Sequence, residues 1–472
     1  MPRDNQTDAA TAGIRETIAQ FAAGLDPAAI PARVRERAVH HMLDAAGIAL
    51  ASARFDFGQR TLTAMRGLGG AGEAPVIGMP ARLSPRDAAV VNGVLIHGLD
   101  YDDTHLGGVV HPTASVLPAV MAAAQITGAR GDEVVTAFVI GVEVAARLGA
   151  VARGGFHQVG FHPTGLVGIF GCTAAAGRLM ELTEAQLAQA QGIALSMASG
   201  SLEFLADGAW TKRLHPGWAA QAGLTAAALA REGFRGATAP YEGRFGLYNA
   251  YLGGERGRAD LGLATDGLGQ RWELLATAIK PYPACHFTHG AIDAALVLAE
   301  GGVEPDDIAS VEVLVPGEVA KTVCEPLEAK RRPQNSYDAQ FSIPYLVASS
   351  LIRRRFGLPE LEAAALADRG VQALSDRVGW RADPDSPFPA AYSGEVIVTL
   401  RDGSTRRHRE QVNRGAADRP LGDDEIVAKF RDNAATAVGP RMAARVEAAL
   451  LALDTPDPAA ARFAVLGHPV PD

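Results

Sequence analysis

Apolar residues recur at helical spacing from residue 14 to about residue 252. The spacing predicts helices at residues 85–99, 113–126, 133–151, 166–181 and 216–233. A further helix is predicted to begin at Thr183, because a Thr followed by a Gln three residues later fits a capping box. Ala and Gly recur on many faces of these segments, which indicates closely approaching helices. This block is therefore predicted to be a large all-α domain.

The hydrophobic pattern changes after residue 252. Residues 253–271 are rich in Gly and charge and show no helical period, which is typical of a boundary or a long connection. Strands are predicted at 310–316 and in a hairpin at 394–412 that turns at Asp402-Gly403. Helices predicted at 290–300 and 337–353 lie between these strands, which indicates a smaller α+β unit.

Helical spacing returns at 425–437 and 440–453. We expect these last helices to pack on the first block, which makes the α+β unit an insertion. The predicted fold is therefore mainly α with an α+β second domain. A large all-helical domain comprises residues 1–262 and 420–472, and a smaller α+β lid domain comprises residues 263–419. A length of 472 residues fits two domains better than one.

Composition narrows the location and the partners. The chain is 48% hydrophobic and 21% charged, and no apolar run reaches the ~20 residues of a membrane span. The N-terminal segment has no basic stretch followed by an apolar one, so a cytoplasmic location is expected. A net charge of −9 argues against nucleic acid as a partner. The three cysteines lie far apart and are predicted to be free thiols.

Residues 67–72 match the G-x-G-x-x-G pattern of dinucleotide-binding proteins. That pattern binds a dinucleotide only between a strand and a helix. Here it follows a helical pattern and precedes "EAPVIG", where no helix opens. We interpret it as a glycine-rich helix exit, and no cofactor is predicted.

Residues 97–113, "HGLDYDDTHLGGVVHPT", carry most of the polar chemistry of the first block. Asp100 ends an apolar helix and is expected to point inward. Asp102, Asp103 and Thr104 fit turn and capping roles as well as functional ones. A metal site could be formed by the side chains of Asp100, Asp103, His105 and His111. No pair of ligands falls on one helix face, so no metal is predicted, and a metal-dependent hydrolase is kept as an alternative.

Three further segments supply imidazoles and cations. His162-Pro163-Thr164 repeats the His111-Pro112-Thr113 sequence, again before an apolar helix, and Pro suits a first helical turn. The segment 207–220 places Lys212 between Trp210 and Trp218, which indicates a pocket, ahead of a helix predicted to start at Pro216. The segment 279–295 contributes Lys280, Cys285 and His286.

This inventory fits a small polycarboxylate substrate. Lysines and histidines can bind carboxylates and stabilise the charge that develops when a proton is removed next to a carboxylate or carbonyl. No phosphate loop, nucleophile elbow or cysteine motif is present in the sequence.

In order and approximate spacing, "LDYDDTH…HP", "GFHPTGLVG", "DGAWTKRLHPGWAA" and "KPYPACHFTH" resemble the MmgE/PrpD family. That family contains 2-methylcitrate dehydratases, cis-aconitate decarboxylases and iminodisuccinate epimerases. The resemblance covers nearly the whole chain. It implies a large all-α domain, a smaller α+β lid domain, a homodimer, and an active site in the cleft between the domains that uses neither metal nor organic cofactor.

The resemblance also implies which residues act. Catalytic roles fall on Asp100, His111, His162, Lys212 and Tyr345, and substrate-binding roles on Thr104, Lys280, His286 and Cys285. Some members of the family have a His where this chain has Cys285, and the loop "HLGGVV" is one residue longer here than in the decarboxylase branch. We expect His111 or His162, oriented by Asp100, to exchange the substrate proton, with Lys212 and Lys280 binding carboxylates and Tyr345 or Thr104 assisting.

The function predicted from the sequence is a metal-independent enzyme that moves a proton next to a carboxylate of a small di- or tricarboxylic acid. A 2-methylcitrate dehydratase-like hydro-lyase comes first, an epimerase of an iminodisuccinate-like diacid second, and a cis-aconitate-type decarboxylase third. The alternatives from other classes are the metal-dependent hydrolase and a binding protein without catalysis.

Overall fold

The computed structural model describes residues 13–388 and 390–467. The first block of this chain is helical, as predicted. Its longer helices are Ile14–Gly24, Ala32–Ser52, Asp56–Gly69, Pro85–His97, Pro112–Thr127, Gly131–Val151, Pro163–Leu179, Glu184–Ala194 and Thr211–Arg231. Short helices follow at Gly155–Gln158, Phe204–Asp207 and Leu247–Tyr251.

Local signals set the start of several helices. The Thr183 hydroxyl accepts a hydrogen bond from the Gln186 N–H, and the Gln186 side-chain oxygen accepts one from the Thr183 N–H, so the predicted capping box is confirmed. The predicted start at Pro216 is wrong, because the helix begins at Thr211 and contains Pro216. Pro216 cannot donate a backbone hydrogen bond within the helix. The turn before it is held by the side chains of Lys212 and Arg213, which donate to Asp100 and to the Gly98 carbonyl.

Glycine permits the closest helix contact near the site. The helices Pro85–His97 and Thr211–Arg231 cross where a Cβ on Gly93 would lie 2.4 Å from the Gly217 Cα. Only a residue without a side chain allows this separation. The close approach brings the loop after His97 next to Lys212.

The lid domain contains a four-stranded mixed sheet. Its strand order is Val378–Ala382, Ile308–Val315, Gly394–Leu400 and Thr405–Glu410, with the first pair parallel and the others antiparallel. The hairpin turns at Gly403, whose φ of +84° suits glycine. The predicted helix at 337–353 is divided into Ser336–Ala339 and Ile343–Arg353. Helices His289–Glu300 and Arg369–Ser375 and short helices Ala320–Val323, Leu327–Arg331 and Ala363–Leu366 complete this part.

Two main hydrophobic cores underlie this arrangement. One draws on residues 18–274 and 430–466, and the other on residues 282–398. The helices Asp423–Ala435, Pro440–Leu451 and Ala459–Ala464 return to the first core, where Phe430 is buried. The predicted fold class is confirmed. The bounds 1–262, 420–472 and 263–419 stay a prediction, and they include residues 1–12, 389 and 468–472, which lie outside the described residues.

Two short segments join the domains beside the site. Thr104–His105 pairs antiparallel with Thr277–Ala278, and Thr104 lies opposite Ala278. Since Lys280 follows two residues after Ala278, this register brings it to the loop that contains Asp100. The segment 67–72 is a helix exit, as predicted: the helix ends at Gly69 and Gly70 has a φ of +74°.

The helix Gly131–Val151 is long and apolar enough to cross a membrane. Of the most apolar stretch of this helix, 94% is buried inside the protein, which is typical of a core helix.

Candidate active site

A cavity lies between the helical domain and the lid domain. The volume open to the centres of water molecules is about 60 Å³. Because one water needs about 10–15 Å³ on this measure, the cavity suits a small molecule. The residues predicted for the site that line it are Asp100, Thr104, His111, His162, Lys212, Lys280, Cys285 and His286. The structure therefore brings together eight of the nine predicted residues.

Asp100 holds two lysines from distant parts of the chain. Lys212 Nζ lies 2.5 Å from Asp100 Oδ1, and Lys280 Nζ lies 3.2 Å from the same oxygen and 2.8 Å from the Asp100 carbonyl. Asp100 has a φ of 51°, unusual for a residue with a side chain, and this turns its carbonyl and carboxylate to one ammonium group. Burial opposes ionisation of this carboxyl, but the two lysines outweigh it and hold the pKa of Asp100 well below its usual range.

His111 is oriented by backbone and hydroxyl oxygens. Its Nδ1 lies 2.7 Å from the Asp103 carbonyl and 3.2 Å from Thr104 Oγ1. Because a carbonyl only accepts, Nδ1 carries the proton and Nε2 the lone pair. The expectation that Asp100 orients this ring is wrong, because Nδ1 is held by Asp103 and Thr104 and the lysines bind Oδ1 of Asp100.

The two His-Pro-Thr segments converge. The His111 N–H donates to Thr164 Oγ1 at 3.0 Å, which ties the starts of the helices Pro112–Thr127 and Pro163–Leu179 together. His162 Nδ1 lies 3.0 Å from His215 Nδ1, so one of these two nitrogens donates to the other. The repeated sequence therefore marks one place in the folded protein.

His97, for which no role was predicted, completes a group of three imidazoles. Its Nδ1 lies 2.7 Å from Asp102 Oδ2. The His97 ring centroid is 4.8 Å from that of His111 and 5.5 Å from that of His162, and the last two are 5.9 Å apart. The signal available in the sequence was the spacing of five residues between His97 and Asp102, across a loop rather than along a helix.

Burial keeps these imidazoles neutral. It lowers the pKa of His111 to about 3, and it holds the pKa values of His97 and His162 well below their usual range. The nearby lysines act in the same direction on His97. Burial also raises the pKa of Asp102. At neutral pH the cluster thus presents uncharged rings that can accept protons.

The other polar residues of the 97–113 segment stabilise its loop. Asp103 accepts from the Thr113 N–H and hydroxyl at 3.2 and 2.5 Å, and its Oδ2 lies 2.7 Å from His41 Nδ1. His105 Nε2 lies 3.0 Å from Glu273 Oε2. The four side chains needed by the hydrolase alternative, Asp100, Asp103, His105 and His111, therefore have separate partners and do not form one ligand group.

The lid domain contributes a thiol and a further imidazole. Asn413 Nδ2 lies 2.6 Å from His286 Nε2, and since the amide nitrogen donates, His286 carries its proton on Nδ1. Burial raises the pKa of Cys285 to about 11, so its thiol is protonated at neutral pH. Gln340 fixes this wall, because its side chain donates to the carbonyls of Leu99 and Pro283 at 2.5 and 3.1 Å.

Tyr345 does not reach the cavity. Its hydroxyl donates to the Glu360 carbonyl at 2.5 Å, and its ring is buried in the lid domain's own core. The catalytic role expected for Tyr345 has no support in this geometry. The aromatic residues with which the lid domain lines the cavity are instead Phe287, Phe341, just before that helix, and Tyr392, just before the strand Gly394–Leu400.

The tryptophans beside Lys212 also lie elsewhere than expected. Lys212 is buried at the cavity, whereas Trp210 and Trp218 are 47% and 45% exposed. They therefore form no wall of the pocket. Lys429, for which no role was predicted, is buried and binds the loop that contains Asp100. Its Nζ lies 2.8 Å from Asp44 Oδ1 and 3.0 Å from the Tyr101 carbonyl.

The arrangement joins proton acceptors to a pair of cations. The His111 imidazole, with its lone pair on Nε2, lines the same small cavity as Lys212 and Lys280, and apolar side chains such as Leu202 and Phe204 line the rest. A carboxylate bound at the ammonium groups would place its neighbouring carbon near an imidazole. Such a site is suited to proton transfer next to a carboxylate.

Comparison with known proteins agrees with the family resemblance described in the sequence analysis along most of the chain. Residues 16–259 match the MmgE/PrpD N-terminal domain, and residues 282–455 match the MmgE/PrpD C-terminal domain. A cis-aconitate decarboxylase of Mus musculus is 30% identical over 371 residues, 75% of this chain and 72% of that protein. A cis-aconitate decarboxylase of Aspergillus terreus is 26% identical over 478 residues, 96% of each.

A cis-aconitate decarboxylase-like protein of Aspergillus oryzae is 27% identical over 449 residues, 91% of this chain and 92% of that protein. The two matched ranges include every predicted site residue except Lys280, which lies between them. The chain belongs to the MmgE/PrpD family.

Proposed function

We propose that the chain is a lyase that acts on a small di- or tricarboxylic acid without a metal or organic cofactor. Within that class we propose dehydration, by a 2-methylcitrate dehydratase-like hydro-lyase. The observation that carries this proposal is the neutral His111 imidazole, whose Nδ1 is held at 2.7 Å by the Asp103 carbonyl and whose Nε2 is left with its lone pair in a cavity that also contains Lys212 and Lys280.

The reaction starts with the substrate's carboxylates at the two ammonium groups. His111 Nε2 takes a proton from the carbon next to a carboxylate, and the negative charge that develops is stabilised by Lys212 and Lys280. An anionic substrate also raises the pKa of the neighbouring imidazole, since it favours the imidazolium form. The base that has a pKa of about 3 in the free protein is thereby strengthened when substrate is bound.

The carbon–oxygen bond then breaks and an alkene forms. The departing hydroxyl needs a proton to leave as water, and the protonated thiol of Cys285, which lines the cavity from the lid domain, can supply it. The proton on His111 returns to the thiolate after the product leaves. One water is released per substrate, and the enzyme ends unchanged.

Decarboxylation of a cis-aconitate-type acid is the second candidate, and the names of the relatives favour it. Loss of CO₂ leaves a carbanion that must receive a proton from the enzyme, so that reaction needs a proton donor at the carbon. The buried imidazoles of this site are neutral acceptors in the free protein, so only the Cys285 thiol named above would be left to protonate that carbon. Dehydration begins with a neutral base, which is the state of these imidazoles in the free protein, and we place it first.

Proton NMR in D₂O tests the proposal. The protein is incubated separately with 2-methylcitrate, citrate, cis-aconitate and an iminodisuccinate-type diacid. A new alkene signal from a hydroxy acid is the expected result. Release of CO₂ from cis-aconitate would establish the second candidate instead, and deuterium exchange without net conversion would indicate an epimerase. Binding without any of these changes would overturn the enzymatic proposal.

Variants at His111 test the assigned base. His111→Gln and His111→Ala are expected to lower kcat by about 10²–10⁴-fold. His408→Gln, on the lid-domain strand Thr405–Glu410, is the matched control and keeps full activity. An unimpaired His111→Ala variant would remove His111 from the mechanism. Activity that survives dialysis against a chelator is expected, whereas its loss would contradict a metal-independent reaction.

We also propose that the enzyme works as a homodimer in the cytoplasm, with no nucleic acid or membrane partner. Trp210, Leu214 and Trp218 are four residues apart and therefore share one helix face, and each is more than 40% exposed. An apolar strip of this kind is typical of a protein–protein contact. The net charge of −9 disfavours binding to phosphates.

A further inference from the structure

The imidazoles of His97, His111 and His162 come close enough to share a ligand. One ring nitrogen from each lies within 4.8 Å of the others, and all three side chains are buried. They come from three segments: the end of the helix Pro85–His97 and the residues that precede the helices Pro112–Thr127 and Pro163–Leu179. His111 and His162 line the cavity and His97 lies behind them. Three nitrogen donors match the ligand number of an open zinc site, which leaves a further position for water or substrate.

The partners of each ring set which nitrogen is available. Nδ1 is engaged in all three: by the Asp102 carboxylate in His97, the Asp103 carbonyl in His111, and His215 in His162. Histidines that bind metal through Nε2 usually make such a contact through Nδ1, and an Asp–His pair is a frequent form of it.

The remaining nitrogens lack a partner. Nε2 of His97 and Nε2 of His162 are buried and have no hydrogen-bond partner among the described residues. Buried polar atoms of this kind are uncommon in folded proteins, and each calls for an explanation such as a ligand. Nε2 bears the lone pair in His97 and His111, whose Nδ1 atoms face oxygens, and in His162 when its Nδ1 donates to His215. In that state the three rings point to a ligand that accepts electron pairs.

The surrounding charges do not exclude a cation. Lys212 and Lys280 are close, but the Asp100 and Asp102 carboxylates lie among the same groups and offset them. Neutral imidazoles are the state that binds metal. Three nitrogen ligands favour zinc and its transition-metal neighbours over magnesium or calcium, which prefer oxygen.

We propose that His97, His111 and His162 bind one transition-metal ion of the zinc class and that the bound ion blocks proton transfer at His111. Coordination engages the Nε2 lone pair that the base needs, so the same atoms serve either a proton or a metal. The binding half stands on the geometry alone, whereas the blocking half rests on the proposed function. Zinc–nitrogen bonds are about 2.0–2.1 Å, so binding draws the three rings inward.

Cobalt and zinc are the probes that test binding. The full-length protein is stripped with a chelator, dialysed and titrated with Co²⁺, with visible absorption as the readout, and with Zn²⁺ by calorimetry. One equivalent with the d–d bands of nitrogen-ligated cobalt is expected. X-ray absorption of the zinc-loaded wild type should show about three imidazole nitrogens at ~2.0–2.1 Å. This measurement needs no variant, so it holds even where a substitution impairs folding.

Variants locate the site. His97→Gln and His162→Gln are each expected to weaken Co²⁺ binding by more than tenfold, and Asp102→Asn by about 10–100-fold through loss of the contact that orients His97. His157→Gln, in the same cavity but outside the cluster, is the matched control and keeps the affinity. No cobalt absorption, or equal affinity in all variants, would overturn the binding proposal.

Inhibition is measured separately. Stoichiometric Zn²⁺ should abolish the reaction found by NMR, and a chelator should restore it. Metal binding without inhibition would overturn the blocking half alone. A protein without activity on any acid but with the cobalt signature would overturn the proposed function and leave the metal site standing, so the two failures are distinguishable.

Discussion

Lys280 donates hydrogen bonds to both the carbonyl and the carboxylate of Asp100, at 2.8 and 3.2 Å. The lysine belongs to the segment that enters the lid domain, and the aspartate to a loop of the helical domain. Because Lys212 binds the same carboxylate from the helical side, Asp100 is the point where both domains meet at the cavity. The negative Asp100 carboxylate holds two ammonium groups at the place where a negatively charged substrate would bind.

The first prediction is that Asp100→Asn lowers the free energy of unfolding by about 3–5 kcal/mol. Removing one partner of a buried ion pair leaves the other charge uncompensated, and here two ammonium groups lose their partner. Urea unfolding measures the change. The control is Asp376→Asn, whose pair with Arg332 is exposed to solvent and should contribute far less to stability. Equal effects of the two substitutions would contradict the role given to Asp100.

The second prediction concerns stability and pH. An unfolded histidine has a pKa near 6.5, whereas folded His111 has one of about 3. Between these values the unfolded chain binds a proton that the folded chain does not, so His111 makes stability fall as pH decreases below about 6.5. One such group changes the free energy of unfolding by up to about 1.4 kcal/mol per pH unit.

Urea unfolding of wild type and His111→Gln between pH 7 and pH 5 tests this sign. The variant should lose less stability per pH unit than the wild type, while His408→Gln should follow the wild type. Parallel curves for wild type and His111→Gln would show that His111 has an ordinary pKa in the folded protein. The same result would weaken the case for a neutral base.

Local sequence signals predicted the parts of the fold that depend on near neighbours. The capping box at Thr183, the turn at Gly403 and the proline-started helices at Pro112 and Pro163 all have their partners within a few residues. The strand Val378–Ala382 was not predicted, because it is defined by parallel pairing with Ile308–Val315, far away in the chain.

The site shows the same division. Sequence motifs identified the cavity residues by type and order, yet they did not identify their partners. His162 meets His215 and Asp100 meets Lys280 only because the helices pack closely and Thr104 pairs with Ala278. Tyr345 has a suitable side chain, but the direction in which its helix presents it depends on the lid-domain core.

The third prediction follows from that direction. Tyr345→Phe is expected to leave kcat and KM within about twofold of the wild type, because the hydroxyl bonds to the Glu360 carbonyl and not to the cavity. The loss of one buried hydrogen bond should lower the free energy of unfolding by about 0.5–1.5 kcal/mol. Steady-state kinetics and urea unfolding provide the two readouts. A hundredfold loss of kcat would restore the catalytic role that the family resemblance implied.

The fourth prediction concerns thiol reactivity. Cys172, Cys285 and Cys324 are buried, and burial raises their pKa values to about 12, 11 and 12. Since the thiolate is the reactive form, an aromatic disulfide reagent at pH 8 should label none of them quickly in the folded protein and all three after unfolding. Fast labelling of one thiol that disappears in Cys285→Ser would show a thiolate at the cavity, which is incompatible with its proposed role as a proton donor.

The fifth prediction is that Trp218→Glu disrupts the proposed homodimer. Trp218 shares its exposed helix face with Leu214, and a charge placed in an apolar contact must be buried without a partner. Light scattering coupled to size exclusion should show a dimer for the wild type and a monomer or a concentration-dependent mixture for the variant. Leu68→Glu is the control, since Leu68 is 83% exposed on a different helix, Asp56–Gly69. If Trp218→Glu remains dimeric while Leu68→Glu dissociates, the dimer contact lies on the helix Asp56–Gly69 instead. A monomeric wild type would contradict the dimer itself.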